Sequence, residues 1–115
     1  MEKRHTLIHN AAEHRYEFRL DDSARAWIEY EPRPEGLALT HTIVPPRFEG
    51  QGIAAGLTAA VLRTLRDEGI RIIPRCSYII RYIERHPEWQ EMVAATPHAG
   101  QSGQEQAGTG WDRQE

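Results

Sequence analysis

The feature that most constrains this chain is a single change of hydrophobic period near its middle. Up to residue 44 apolar and polar residues alternate; from residue 53 the apolar ones recur at four-residue spacing. HRYEFRL (14–20) sets Tyr16, Phe18 and Leu20 on one face. ARAWIEYEP (24–32) sets Ala26, Ile28 and Tyr30 opposite Trp27 and Glu29, and GLALTHTIV (36–44) aligns Leu37, Leu39, His41 and Ile43. A period of two marks strands. Asn10, Asp21-Asp22 and Pro32-Arg33-Pro34-Glu35-Gly36 supply turn chemistry between them, and HTLIH (5–9) is a further short strand. Ile53, Leu57, Val61 and Leu65, widened by Leu62, then predict a helix of about four turns that stops at Gly69. IRII (70–73) reads as a strand closed by Pro74, and CSYIIRYIER (76–85) as a second helix with Ile79 and Ile83 inward. His86-Pro87 ends that helix, Trp89 anchors the core, and PEWQEMVAA adds a helical turn or two. Antiparallel meander, helix, strand, helix predicts an α+β fold with one locally parallel strand pair.

A chain of 115 residues suits one domain. The expected domain is 1–95. From Thr96 the composition turns to Gly, Gln and Ser, so residues 96–115 are expected to be a disordered tail. The lone cysteine, Cys76, excludes a disulfide framework and a multi-cysteine metal site, and His5, His9 and His14 have no metal-ligand spacing among themselves. No membrane span and no signal peptide are visible, so a cytoplasmic protein is expected. Charge is uneven: residues 1–35 hold 6 Lys+Arg against 8 Asp+Glu, residues 36–85 hold 7 against 4, and residues 86–115 hold 1 against 5. The basic excess of the middle is too small for a nucleic-acid surface. It is all arginine, which suits phosphate through its bidentate fork, although a solvated helix face would look the same.

The basic middle contains RFEGQG (47–52) at the mouth of the first helix. Glycines there let backbone N–H groups approach an anion, and the helix N-terminus attracts one. They also serve an ordinary strand-to-helix turn. A Walker A loop is excluded, because no lysine follows Lys3. Gly50-Gln51-Gly52-Ile53-Ala54-Ala55 matches the G-x-G-x-x-A dinucleotide fingerprint, but the acidic residue required ~20 positions on is missing from IRIIPR (70–75).

Arg47-x-x-Gly50-x-Gly52, between a strand and a long helix, resembles the pyrophosphate loop of the GNAT superfamily of acyl-CoA N-acyltransferases. HTIVPPRFEGQGIAAGL and CSYIIRYIERHPEW look like a subfamily of minimal single-domain GNAT-like acetyltransferases, and the likeness spans roughly residues 5–93. The resemblance implies a mixed sheet with a splayed parallel pair and acetyl-CoA as donor. It implies a cofactor loop of Arg47, Phe48, Glu49, Gly50, Gln51, Gly52, Ile53 and Ala54. The pantetheine arm would pair along the edge near Thr42, Ile43 and Val44, stopping at Pro45-Pro46, which have no N–H to donate.

Acetyl transfer to an amine calls for a base and an acid for the leaving thiolate. His41 is the candidate base. Cys76, expected at a helix start beside Arg75, has the surroundings of a reactive cysteine. In the subfamily resembled, a cysteine and a histidine at matching places have been proposed as a catalytic pair. Tyr78, with Tyr82 one turn on, is the candidate acid, and Ser77 the candidate N-cap. His41 and Cys76 are equally readable as core residues, and the tyrosines as packing. The resemblance thus implies an acetyltransferase acting on a small-molecule or protein amine, by direct transfer, as a monomer or weak homodimer. The alternative is a non-catalytic acyl-CoA-binding module on the same fold.

Overall fold

The computed structural model describes residues 5–94; the expected tail at 96–115 lies outside the described residues. β1 (Leu7–Asn10), β2 (Arg15–Arg19), β3 (Arg25–Arg33) and β4 (Gly36–Ile43) form an antiparallel meander, each strand paired with the next. The expected strands are present, with ends displaced by a residue or more. β1 stops at Asn10 because that side chain accepts the Glu13 N–H at 3.2 Å and caps a 3₁₀ turn over Ala11–Glu13. After β4 come a 3₁₀ turn (Pro46–Phe48), α1 (Ile53–Asp67), β5 (Ile72–Pro74), α2 (Ser77–Arg85) and a 3₁₀ segment (Pro87–Met92). β5 lies parallel to β4, with Leu37 opposite Ile72 and Leu39 opposite Pro74. The sheet order is therefore β1-β2-β3-β4-β5, and α1 is the crossover that a parallel pair requires.

Both helices pack on one face of this sheet. Register puts Tyr16 opposite Ile28, Phe18 opposite Ala26 and Tyr30 opposite Leu39, so these side chains share a face. They form one buried cluster with Ile53, Leu57, Val61, Leu62 and Leu65 of α1 and Ile79 and Ile83 of α2. Trp89 and Met92 close the cluster, and the Arg66 guanidinium of α1 lies 5.2 Å over the Trp89 ring.

The alternation of β4 does not run unbroken. Glu29 of β3 pairs with His41, but the next residue, Tyr30, pairs with Leu39, leaving Thr40 as an extra residue. This is a β-bulge, pinned by the Thr40 hydroxyl, which donates to the Glu29 carbonyl at 3.2 Å. One extra residue exchanges the faces of everything beyond it. Leu37 and Leu39 point to the core as expected, while His41 and Ile43 point to the opposite, helix-free face and Thr42 turns inward. The single Leu37–Leu39–His41–Ile43 face read from the sequence is corrected accordingly: the His41 side chain is 66% exposed.

That helix-free face carries Arg15, Glu17, Arg25, Trp27, Glu29 and His41. Glu17 is fully buried beneath its neighbours. Its carboxylate accepts from Asn10 at 2.9 Å, from Arg15 Nε at 2.7 Å and from Arg25 at 2.8 Å. Burial alone would raise the pKa of this carboxyl; the three donors outweigh it and hold it below the usual value.

Candidate active site

The site begins where β4 loses both of its ladder partners. Pro45 and Pro46 end pairing, and the N–H groups of Phe48 and Glu49 turn back to the carbonyls of Pro45 (2.9 Å) and Pro46 (3.1 Å). Gly50 and Gly52 then take left-handed backbone angles, φ 82° and 77°, and Gly52 is the N-cap of α1. The first return bond of the helix is Gly56 N–H to the Gly52 carbonyl at 3.0 Å. Among the described residues, the backbone N–H groups of residues 50–55 therefore make no backbone hydrogen bond. Six such donors in succession stand at the positive end of a 15-residue helix, where an anion is favoured. A Cβ added at Gly50 or Gly52 would meet no atom within 4 Å, so the space beside both glycines is open.

An open groove of about 170 Å³ runs past these donors. Val44, Phe48, Glu49, Gly50, Gly52, Ile53 and Ala54 line it, all named from the sequence; Ala55 joins them, and Tyr78 reaches it from α2. Ile43, Arg47 and Gln51 are not in its walls. Ile43 stands 37% exposed on the helix-free face, and the Gln51 amide reaches the Arg47 carbonyl at 3.5 Å. Arg47 flanks the loop: its guanidinium lies 4.6 Å over the Phe48 ring and donates to Asp21 at 3.0 Å. The Ser23 N–H foremost, and then Arg47, hold the Asp21 carboxyl below its usual value.

The pairing of β4 with β5 stops short of the groove residues, which leaves a gap in the ladder. The last paired residues are Leu39 and Pro74, after which the N–H groups of Arg75 and Cys76 both donate to the Leu39 carbonyl at 3.0 Å. The chain then turns into α2, with Cys76 and not Ser77 as the N-cap residue. Thr42 has no β5 partner, and its hydroxyl lies 3.4 Å from Cys76 Sγ. Tyr78 is the second residue of α2. Burial first, then Tyr82 and Cys76 against the opposing Arg85, push its hydroxyl above the usual phenol value, so it stays protonated at neutral pH.

His41 is on the other side of β4. Its Nδ1 lies 3.1 Å from Glu29 Oε1, on the helix-free face, while the neighbouring Thr42 contacts Cys76 on the helix face. The structure thus gathers the loop, Val44 and Tyr78 on one face, sets Cys76 and Thr42 at the gap, and puts His41 across the strand. Sequence reasoning missed the hydroxyl of Thr42 and the carboxylate of Glu29. Neither carries a motif; the bulge at Thr40 is what sets Glu29 opposite His41 and turns Thr42 towards Cys76. Among the described residues no cluster of His, Cys, Asp and Glu could hold a metal, and no helix is long and apolar enough to cross a membrane.

Comparison with known proteins bears on the fold and the family. The solution structure of a GCN5-like protein from Staphylococcus aureus matches with a TM-score of 0.61 at 24% identity, over 81% of this chain and 91% of that one, and so shows the shared fold. The sequence model of the GCN5-related N-acetyl-transferase family matches residues 15–92, which span β2 through the closing 3₁₀ segment. The chain belongs to the GCN5-related N-acetyltransferase family, enzymes that move an acetyl group onto an amine.

Proposed function

We propose that this acetyltransferase draws the acetyl group from acetyl-CoA, held with its diphosphate on the N–H groups of residues 50–55. The family generally uses that donor, which supplies an activated acyl thioester. The observation that carries the reading is the run of six unpaired donors in front of clear space at the N-terminus of α1. The groove is well below the ~300 Å³ lower bound of small-molecule pockets, and its openness suits an extended ligand lying along the surface. Arg47 adds a cation at its flank, shared with Asp21. The unpaired edge of β4 at Thr42–Val44 offers the pantetheine amides a strand to pair with, up to Pro45.

The two faces of β4 support direct transfer. With the thioester reached from the helix face, the acceptor amine approaches through the gap from the helix-free face, where His41 takes its proton. The new N–C bond forms as the C–S bond breaks. Tyr78, already in the groove, gives its proton to the departing thiolate, and both residues recover their protonation from water. Cys76 and Thr42 wall the gap. The test is calorimetric titration of the full chain with coenzyme A, followed by melting curves. Coenzyme A should bind and, at a hundredfold excess over Kd, add about 2.7 kcal/mol of stability. Absence of binding at millimolar coenzyme A would overturn the reading.

A further inference from the structure

We propose that Glu29 is a positioning residue for His41: its carboxylate takes the Nδ1–H, so that Nε2 carries the free lone pair on the helix-free face. This deepens the reading above and rests on His41 being the base. The bulge at Thr40 is what brings the two residues opposite each other across β3 and β4. Nδ1 lies 3.1 Å from Glu29 Oε1. The other oxygen, Oε2, accepts the Trp27 indole N–H at 2.9 Å, which leaves Oε1 as the oxygen beside the ring. Trp27 is held in turn, with the Arg15 guanidinium 4.3 Å over its ring and Arg15 Nε bound to the buried Glu17. The chain from Glu17 through Arg15, Trp27 and Glu29 to His41 keeps the carboxylate from swinging away.

Among the described residues, the charged groups on the helix-free face near His41 come from the meander and from Arg75, which follows the buried Pro74 and whose N–H donates to the Leu39 carbonyl. Glu29 faces it from β3, Arg15 lies opposite Glu29 on β2, and Glu17 and Arg25 lie beyond. β5 is not paired with β4 at this level. A neutral imidazole must have one ring nitrogen protonated and the other free, and the partner of the first decides which. With Nδ1 committed to Glu29, Nε2 accepts the proton of the attacking amine. The resulting imidazolium gains the Glu29 carboxylate as counter-ion, the same division of labour found in serine-hydrolase triads.

Long-range proton–nitrogen NMR of the histidine-labelled full chain reads the tautomer directly, and signals lost in His41→Gln give the assignment. In the wild type, His41 should be protonated at Nδ1 when neutral. Glu29→Gln should move it towards the Nε2–H form that free imidazole favours, because one amide cannot accept from both Trp27 and His41. Glu29→Val should do the same, and a native-like backbone spectrum shows that each variant is folded. An Nε2–H tautomer in the wild type, or an Nδ1–H tautomer unchanged in both variants, would overturn the proposal. Thiol release from acetyl-CoA with a lysine-bearing peptide tests the base itself. If His41→Gln turns over like the wild type, the base reading falls, while the tautomer experiment still decides Glu29.

Discussion

Gly52 and Gly69 stand at opposite ends of α1, and their comparison isolates the cofactor loop from backbone strain. Both have left-handed angles, φ 77° and 74°, and at both an added Cβ would meet no atom within 4 Å. Alanine at either position therefore incurs the same conformational cost, about 1–2 kcal/mol for an L-residue in this region. Lower entropy of the unfolded chain offsets about 0.4–1 kcal/mol of it. Each variant should lose about 1 kcal/mol net, which lowers Tm by about 4–8 °C in a domain of this size. Only at Gly52 does the methyl enter the groove and keep an anion from the N–H groups of the loop. A hydrogen bond to a charged group is worth about 1.5–3 kcal/mol, so losing one weakens coenzyme A binding by about 10- to 100-fold. The assay is calorimetric titration of both variants with coenzyme A, each compared with its own unliganded melting curve. Equal affinity in Gly52→Ala and Gly69→Ala would refute the phosphate-loop assignment.

Other perturbations address the chemistry and the core. His41→Ala should slow acetyl transfer on the order of 10²-fold, whereas Cys76→Ala should keep most of the activity, measured as thiol release once an acceptor is in hand. Intact mass after incubation with acetyl-CoA alone checks the route: an acetyl adduct on Cys76 that chases into product at a competent rate would favour a covalent path over direct transfer. Leu57→Ala, at a fully buried position of α1, should cost about 2–5 kcal/mol in denaturant unfolding. Glu17, whose folded-state pKa is depressed, stabilises the fold above its unfolded value of about 4.3, and that contribution disappears as pH falls through the lower folded value. Stability measured between pH 7 and pH 3 should therefore drop on acidification, and Glu17→Gln should be less stable at pH 7 and less sensitive to acid.

The boundary between what the chain spells out locally and what its long-range contacts decide runs through β4. Alternation, the switch to helical spacing at Ile53, the proline pair and the two glycines are each set by neighbours within a few positions. The meander, both helices and the glycine loop at the mouth of α1 were therefore readable without coordinates. So was Cys76 at the start of α2, though as the N-cap in place of Ser77. The face that His41 occupies was not readable, because it depends on one extra residue in the pairing of β3 with β4. Side-chain periodicity in a strand counts residues; it does not reveal where a ladder skips one. The capture of Arg47 by Asp21, 26 positions away, and the contact of Thr42 with Cys76, 34 positions away, are likewise products of tertiary packing. Local sequence thus determined where the glycine loop, His41, Cys76 and Tyr78 fall along the chain. The bulge at Thr40 and the end of β4–β5 pairing at Leu39 decided on which side of the strand each one lies.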